Sequence, residues 1–507
     1  MSAQPEGNTE YDLLVIGGGI NGTGIARDAA GRGLRVLLVE MADLASATSG
    51  WSSKLIHGGL RYLEYYEFRL VREALEEREV LLNAAPHIVR PMRFVLPHDR
   101  SMRPVWMIRI GLWMYDHLGK RVSLPGSQTV AFPHVEFSAG LKSEIRSGIV
   151  YSDCRVDDAR LTVITAMSAR DKGATIQTRT KFLSGRRENG AWRVELEDTR
   201  TGATRTVTAT ALVNAAGPWV TRVLEGVPHK PTGAKVRLVK GSHIVVPKVH
   251  SLGHACLLQN PDKRVVFVIP FESKYSLIGT TDVPVDTPEE AVAISAQETD
   301  YLIEAANRFL AKPLSKADVV WTFAGVRPLY DDGHSDPSSI TRDYTLELDD
   351  EDGNAPVLSL FGGKITTYRC LAETALDRLS AYLPPMGPKW TREAFLPGGN
   401  VRNYNAFRDE MFDRYKGFPR ELLDGVVRRH GNRTTIVLGD IRAPGELGTN
   451  FGAGLTAREI DCLVADEWAE TADDILWRRT KCGLHMDDTQ RAAVASYLAD
   501  RKAYAST

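Results

Sequence analysis

The sequence predicts an α/β protein on three observations: a strand, glycine turn, helix and second strand within the first forty residues, strand-like runs alternating with a capped helix over residues 230–330, and helical patterning after about residue 390. The first unit is the most specific. Tyr11 to Ile16 is a short apolar run that ends in Gly17-Gly-Gly-Ile-Asn-Gly22; Ala-rich sequence leads to Gly31-Arg-Gly33, and a second apolar run, Arg35-Val-Leu-Leu-Val, stops at Glu40. An acidic residue about 20 positions beyond such a turn is what a Rossmann-like βαβ unit sets against the ribose of a dinucleotide. Gly17 permits the turn, Gly19 lets backbone approach a pyrophosphate, and Gly22 lets helix pack on strand. Ile20 and Asn21 open the helix whose N-terminus faces the phosphates. Glu40 would accept hydrogen bonds from the ribose hydroxyls and repel a 2′-phosphate, so FAD or NAD is expected rather than NADP. The pattern does not separate those two.

Further along, Phe68, Val71, Leu75 and Leu82 fall near one face of a helix with charges between them. A helix is expected from about Asp157 to Lys172, then a strand near Ala174 and a hairpin with arms Trp192 to Glu197 and Thr204 to Val213 around Thr201-Gly202. The second arm runs into Asn214-Ala215-Ala216-Gly217, where small residues let backbone approach a second stretch of cofactor; a simple turn is the alternative. Val265 to Ile269 reads as strand, and Ser295-Ala-Gln-Glu298 as a capping box opening a helix that carries Leu302, Ala306 and Phe309. Pro384-Pro385, Pro388 and Leu396-Pro-Gly-Gly399 mark a linker, and Thr456-Ala-Arg-Glu459 caps a helix with Ile460, Leu463, Val464 and Trp468. No internal repeat is present.

At 507 residues and 43% apolar content, two or three domains are expected, with room to bury a large cofactor. Balanced charge, 63 basic against 64 acidic residues, gives no overall attraction to nucleic acid, so any anion site must be local. The five cysteines never form a CxxC pair, which argues against a disulfide framework or zinc site and for a reducing, cytosol-facing location. The polar first ten residues show no secretory signal, and no apolar run approaches the roughly 20 residues of a membrane span, so membrane contact is expected to be peripheral.

Shortly after Glu40 the chain reads Asp43-Leu-Ala-Ser-Ala-Thr-Ser-Gly-Trp-Ser-Ser-Lys-Leu-Ile-His-Gly-Gly-Leu-Arg-Tyr-Leu. With Gly241-Ser-His-Ile-Val, Ile278-Gly-Thr-Thr-Asp, Gly325-Val-Arg-Pro-Leu, Thr341-Arg-Asp-Tyr and Phe361-Gly-Gly-Lys-Ile-Thr-Thr-Tyr-Arg, it resembles the FAD-dependent, quinone-linked glycerol-3-phosphate dehydrogenases. Leu396-Pro-Gly-Gly and Asp473-Asp-Ile-Leu-Trp-Arg-Arg-Thr-Lys extend the likeness toward the C terminus. The resemblance implies the architecture of flavoenzymes similar to D-amino-acid oxidase. The Rossmann-like FAD-binding domain would comprise 1–80, 150–220 and 325–388. An inserted mixed-sheet substrate domain, with a possible membrane-facing segment, would take 81–149 and 221–324, and a helical C-terminal domain 389–507.

Oxidising a secondary alcohol moves a hydride off carbon as the hydroxyl proton leaves; no ordinary side chain accepts a hydride, so the flavin must. The protein positions the substrate, assists the proton and holds the phosphate. The resemblance implies sn-glycerol 3-phosphate as substrate and dihydroxyacetone phosphate as product. Arg61, Arg327 and Arg342, from three separate motifs, are then the expected phosphate donors, together with Tyr62. His243 is the expected proton acceptor, with hydrogen bonding to substrate as the alternative role. Thr280 and Thr281 could orient the substrate, or merely form a turn. Gly362, Gly363 and Lys364 precede a helical run from Ile365 to Leu383, so their amides and the helix N-terminus are expected to stabilise charge on the reduced flavin, with Lys364 reinforcing this or touching the substrate. Thr48, Ser49, Ser52, Ser53, Lys54, His57, Gly58 and Gly59 lie in the loop that the resemblance sets along the flavin.

The resemblance also implies a membrane quinone as electron acceptor and a cytoplasmic protein held peripherally at the inner face of the cytoplasmic membrane. Residues 90–121 mix Arg90, Arg93, Arg100, Arg103, Arg109, Lys120 and Arg121 with Trp106, Met107, Ile108, Leu112, Trp113 and Tyr115, as suits an anionic bilayer surface. A buried helix from Trp106 to Leu118, or a homodimer contact, are the alternatives. An oxygen-using oxidase, a related amino-acid oxidase and a non-enzymatic flavin-binding redox module are the rival functions.

Overall fold

The computed structural model describes residues 10–98, 104–119, 122–132, 136–230, 236–262, 264–291, 293–330 and 343–505; Arg342, Arg100, Arg103, Lys120 and Arg121 lie outside them. In chain order β1 (Tyr11–Ile16), α1 (Ile20–Gly31), β2 (Val36–Val39), α2 (Phe68–Ala84), α3 (Val105–Leu118) and α4 (Asp158–Asp171) carry most of the expected N-terminal elements. β1 has two parallel neighbours: Leu13 faces Val36 of β2, and Leu14 faces Leu212 of strand Thr204–Asn214, which pairs in parallel with Asn354–Phe361. A parallel sheet is covered on both faces, which is why these strands are unbroken apolar runs. Their two-residue period divides them cleanly. Leu13 and Val15 share a core with Ile25, Leu161 and Leu371 of three covering helices, while Leu14 and Ile16 share another with Trp192, Val194 and Val220.

A second, mixed sheet is built around strand Val236–Pro247, which pairs antiparallel with the full length of Trp321–Tyr330 on one side and with Tyr275–Gly279 on the other. It continues through Val265–Phe271 and Ala255–Gln259 to Val89–His98 and Ser147–Val156. Residues 321–330 therefore straddle the boundary expected at 325 yet sit wholly in this sheet, because their ladder with Val236–Pro247 is continuous. Helix Ala296–Asn307 opens with the expected reciprocal capping box between Ser295 and Glu298, and Phe309 lies just past its end. α3 departs from the buried-helix alternative: Leu112 and Tyr115 are its buried residues, while Trp106 and Trp113 are each 62% exposed.

Beyond the Pro-rich linker come helices Tyr404–Arg414, Arg420–His430, Ala457–Glu467 and Asp488–Ala505. At the third, only half of the expected capping box forms. The Glu459 amide donates to Thr456 Oγ1, but the Glu459 carboxylate is taken by Arg429 at 2.6 Å and His430 at 2.9 Å. Buried ion pairs fasten this region to the layer around the first sheet. Arg479, fully buried, donates to both oxygens of Asp43 at 2.7 and 2.8 Å and to the Glu467 carbonyl at 2.6 Å; Arg160 of α4 pairs with Glu467, and Lys481 with Asp157.

Removing one partner of a buried pair leaves the other charge uncompensated, at about 3–5 kcal/mol. Arg478 still donates to Asp43 at 2.6 Å when Arg479 is removed, so Arg479→Met is expected to destabilise the protein by less than that full amount, roughly 1–3 kcal/mol, read as a lower thermal midpoint and faster proteolysis in the linker at 384–399. An unchanged midpoint would mean that the fastening contributes nothing.

Candidate active site

Because β1, β2, Thr204–Asn214 and Asn354–Phe361 run parallel, their C-terminal ends share one edge of the sheet. Gly17 turns there with φ +114°; a Cβ on it would lie 2.5 Å from the Ala215 carbonyl oxygen, and one on Gly22 would lie 2.0 Å from that of Gly17. Both positions thus require glycine. The Gly18 and Ala42 amides donate to the two Glu40 oxygens at 2.7 and 2.8 Å, while burial pushes the carboxyl up against their pull. The Ile20 amide, first of α1, donates to Ser49 Oγ at 3.0 Å. Asn21 Nδ2 donates to the Gly362 carbonyl at 3.4 Å, which brings the start of α1 against the Gly362-Gly363 turn, and Asn21 Oδ1 is buried with no hydrogen-bond partner among the described residues. At Gly217, φ +55°, the space a Cβ would enter is open.

These groups fit a dinucleotide: helix-end amides for the pyrophosphate, a carboxylate held for the ribose, and glycines where backbone must come close. One expectation changes. The helix after Lys364 spans Tyr368–Leu379 rather than 365–383, because Gly362 and Gly363 are left-handed (φ +77° and +95°) and a further turn, closed by the Thr367 amide on the Lys364 carbonyl, is needed before helical geometry begins. The 362–364 amides precede that helix and do not form its N-terminus.

The loop from Thr48 to Gly59 crosses from this edge to the second sheet. Asp158, at the start of α4, accepts from the Ser52 amide and hydroxyl at 3.1 and 2.8 Å and from Lys54 Nζ at 2.9 Å, and Lys54 also donates to the Gly50 carbonyl. Lys54 is buried with a left-handed φ of +59°, and burial is the first cause lowering its ammonium's proton affinity. The Ser52 and Lys54 side chains are therefore committed to Asp158 and brace the loop from behind. Ser53, between them, meets His243: Oγ and Nε2 are 3.0 Å apart. Thr48 Oγ1 donates to the Val326 carbonyl, and the Trp51 and Phe323 rings meet with centroids 5.6 Å apart. Further on, the Gly58 amide donates to Tyr115 OH at 2.9 Å, and that hydroxyl donates to Asp153, itself held by Arg78. The His57 amide reaches Thr366 Oγ1 at 3.4 Å, and Gly59 (φ +73°) opens the turn carrying Arg61 and Tyr62.

On the second sheet His243 stacks on Phe323 at 4.7 Å and lies against Gly279, where a Cβ would come within 2.1 Å of the ring. Its Nδ1 is buried and, among the described residues, has no hydrogen-bond partner. Burial first, then Arg327 and Lys54, holds this imidazole well below its ordinary range, so it is neutral near pH 7. Arg327 donates to Asp282, to Thr280 Oγ1 at 2.9 Å and to the Thr281 carbonyl at 3.4 Å. Gly241 makes room for that guanidinium: a Cβ there would be 2.3 Å from Arg327 Nη2. Thr281 is structural by contrast, buried and donating to Glu298 at 2.8 Å. Lys364 Nζ sits 3.7 Å from the centre of the Tyr62 ring.

The structure so gathers Ser53 with His243, Arg327 with Thr280, and Lys364 with Tyr62, around one loop. Sequence reasoning missed Asp158, Asp282, Phe323 and the Tyr115–Asp153–Arg78 chain. Asp158 had a signal: of the pair Asp157-Asp158 at a helix start, Asp157 caps the helix through the Arg160 amide, which leaves the second carboxylate for another task.

Residues 12–369 match the family described as FAD dependent oxidoreductase. The chain is 53% identical to the D-erythritol 1-phosphate dehydrogenase of Brucella abortus (strain 2308), over 98% of each chain. It is 52% identical to the aerobic glycerol-3-phosphate dehydrogenase of Escherichia coli (strain K12), over 96% of this chain and 97% of that one. Among solved structures, the glycerol-3-phosphate dehydrogenase of Bacillus halodurans complexed with FAD is similar over 98% of this chain and 91% of that one, with a TM-score of 0.77 at 29% identity. FAD is the cofactor. The chain belongs to the FAD dependent oxidoreductase family and, within it, groups with the glycerol-3-phosphate dehydrogenases.

Proposed function

We propose that this chain oxidises sn-glycerol 3-phosphate to dihydroxyacetone phosphate and passes the electrons to a membrane quinone. FAD supplies the hydride acceptor. The reading rests on one observation above the others, a buried neutral imidazole, His243, close to an arginine, Arg327, pinned in place by Thr280 and Asp282. His243 takes the substrate hydroxyl proton, and Ser53 fixes the plane of the ring. Arg327, Arg61, Arg342 and Lys364 hold the phosphate, with Tyr62 and Thr280 lining the substrate's path. Glu40, Gly17, Gly19, Gly22, Ala215 and Gly217 serve the adenosine and pyrophosphate end of FAD, and the 362–364 turn faces its other end. A second reading, a four-carbon polyol phosphate as substrate, is favoured by the 53% identity to the D-erythritol 1-phosphate dehydrogenase.

The exposed face of α3 supports docking on a membrane. Trp106, Met107, Ile110 and Trp113 are exposed together beside Arg109, and a groove of about 620 Å³ lined by Trp106, Arg109, Ile110, Trp113 and His117 runs alongside. Aromatic and basic residues on one helix face suit the interface of an anionic bilayer. No described helix is long and apolar enough to cross a membrane. On this reading the protein sits on the cytoplasmic face of the membrane.

Four outcomes are expected. Anaerobic addition of sn-glycerol 3-phosphate bleaches the flavin, and a quinone analogue restores the colour faster than air does; bleaching by D-erythritol 1-phosphate alone would transfer the assignment to the second reading, and rapid reoxidation by air with peroxide would make the protein an oxidase. His243→Asn lowers kcat by about 10²–10⁴-fold with FAD retained. Since the folded His243 resists protonation, the wild-type kcat/KM between about pH 8 and the usual imidazole value of about 6.5 follows only the titration of the substrate's phosphate, whose second pKa is about 6; an additional loss of rate there, beyond the substrate's own separately measured titration, would remove His243 from the role. Replacing Trp106 and Trp113 together with Ser reduces co-sedimentation with anionic vesicles while leaving turnover with a soluble acceptor intact, and undiminished sedimentation would exclude α3 as the docking face.

A further inference from the structure

A cavity of about 60 Å³ lies where the second sheet, the start of α4 and the C-terminal region meet, and Arg90, Arg155, Asp157, Glu272, Arg428 and Lys481 are among its lining residues. Arg90 and Arg155 stand directly opposite each other across the antiparallel strands Val89–His98 and Ser147–Val156. Like charges in that position repel. The two carboxylates are already engaged, Glu272 by both nitrogens of Arg428 at 3.0 and 2.7 Å and Asp157 by Lys481. Among the described residues the Arg155 guanidinium makes no hydrogen bond or ion pair, and that of Arg90 rests on the Tyr404 ring at 4.1 Å, with Asp424 and Tyr404 offsetting its charge only from a distance. His87, wholly buried, borders the same cavity, and among the described residues neither of its ring nitrogens has a hydrogen-bond partner. Lys54 and Arg429 complete the lining on the cationic side, each with its own carboxylate elsewhere.

Half-buried guanidiniums set face to face, with Asp424 and Glu272 offsetting them only at longer range and neither bonded to them, are unfavourable, and an anion with several acceptor oxygens would satisfy both together with the His87 ring. We propose that this cavity is a second anion site, distinct from the substrate site, that takes a small free oxyanion of the phosphate class. Its size excludes a phosphate ester with a bulky alcohol. Burial, then Arg90 and Arg428, pulls Arg155 down to about 10, which is the electrostatic mark of a cationic cluster short of negative charge. The site stands independently of the substrate assigned above.

The test uses the FAD-loaded protein and inorganic phosphate against chloride at equal ionic strength, with the thermal midpoint as the readout. Phosphate is expected to raise the midpoint in wild type and still to do so in Arg327→Ala, whose substrate site is impaired. In Arg155→Gln and in Arg90→Gln the phosphate concentration needed for half the effect rises at least tenfold, the KM for substrate is unchanged, and the midpoint in chloride is not lowered. Stabilisation that vanishes in Arg327→Ala yet persists in both Gln variants would assign all phosphate binding to the substrate site and overturn the proposal. Equal stabilisation of Arg327→Ala by glycerol 2-phosphate would overturn the free-anion assignment. An unchanged KM in Arg327→Ala would sink the phosphate role of Arg327 without touching this site.

Discussion

Parallel strand direction is the constraint on which the site depends. Residues 17, 40, 215 and 362 are spread over some 345 positions of sequence, yet each directly follows a strand of one parallel set, so they must emerge along a single edge. At that edge the α1 N-terminus presents amides that have no acceptor within the helix and a positive dipole end, and the strand order reverses direction of growth on either side of β1, the place where such sheets hold ligands. The glycines follow from this crowding. Where four strand ends and a helix start converge, a Cβ at Gly17 or Gly22 would occupy the position of a neighbouring carbonyl.

The second constraint is buried charge. Asp43 lies three residues after Glu40 and is gripped by Arg478 and Arg479 from the C-terminal region. Asp157 is held by Lys481 of the same region, and its neighbour Asp158 holds Ser52 and Lys54. The helical C-terminal region is thus a brace behind both ends of the loop that carries Ser53. Buried pairs of this kind add little net stability over apolar packing, but they are costly to break from one side, so they specify one arrangement of the loop.

Much of the fold was legible because it rests on local patterns. The βαβ unit, the hairpin at 191–214 and the capped helix at 296 depend on periodicity, turn residues and caps within a few positions of each other. What escaped depends on register or on distant partners. Lys54 reads as a cation beside a serine-rich turn, and only the approach of Asp158, more than a hundred residues away, turns it inward. The 456–459 box looked complete because Glu459 has the right spacing, but Arg429 and His430 compete for its carboxylate and charge-assisted bonds are the stronger. For α3 the sequence left a membrane-facing segment and a buried helix both open, because only the packing decides it: the second sheet offers room for one narrow stripe of the helix, Leu112 and Tyr115. Arg90 read as one of the basic residues of 90–121 and Arg155 carried no signal of its own; strand pairing alone sets them opposite one another.

Electrostatics tie the phosphate subsite to the base. The cations that suit a phosphate also disfavour a second positive charge nearby, and Arg327 and Lys54 both depress the proton affinity of His243. On the proposed reading, a phosphate dianion beside Arg327 cancels part of that field. Opposite charge within a few ångströms favours the imidazolium, so His243 becomes a better proton acceptor when substrate is in place than when it is not. Ser53 cannot supply this effect, being neutral, and its contribution is geometric: held by its neighbours' bonds to Asp158, it keeps the ring stacked on Phe323 and against Gly279. Charge from the substrate and rigidity from the loop thus act on the same imidazole through separate routes.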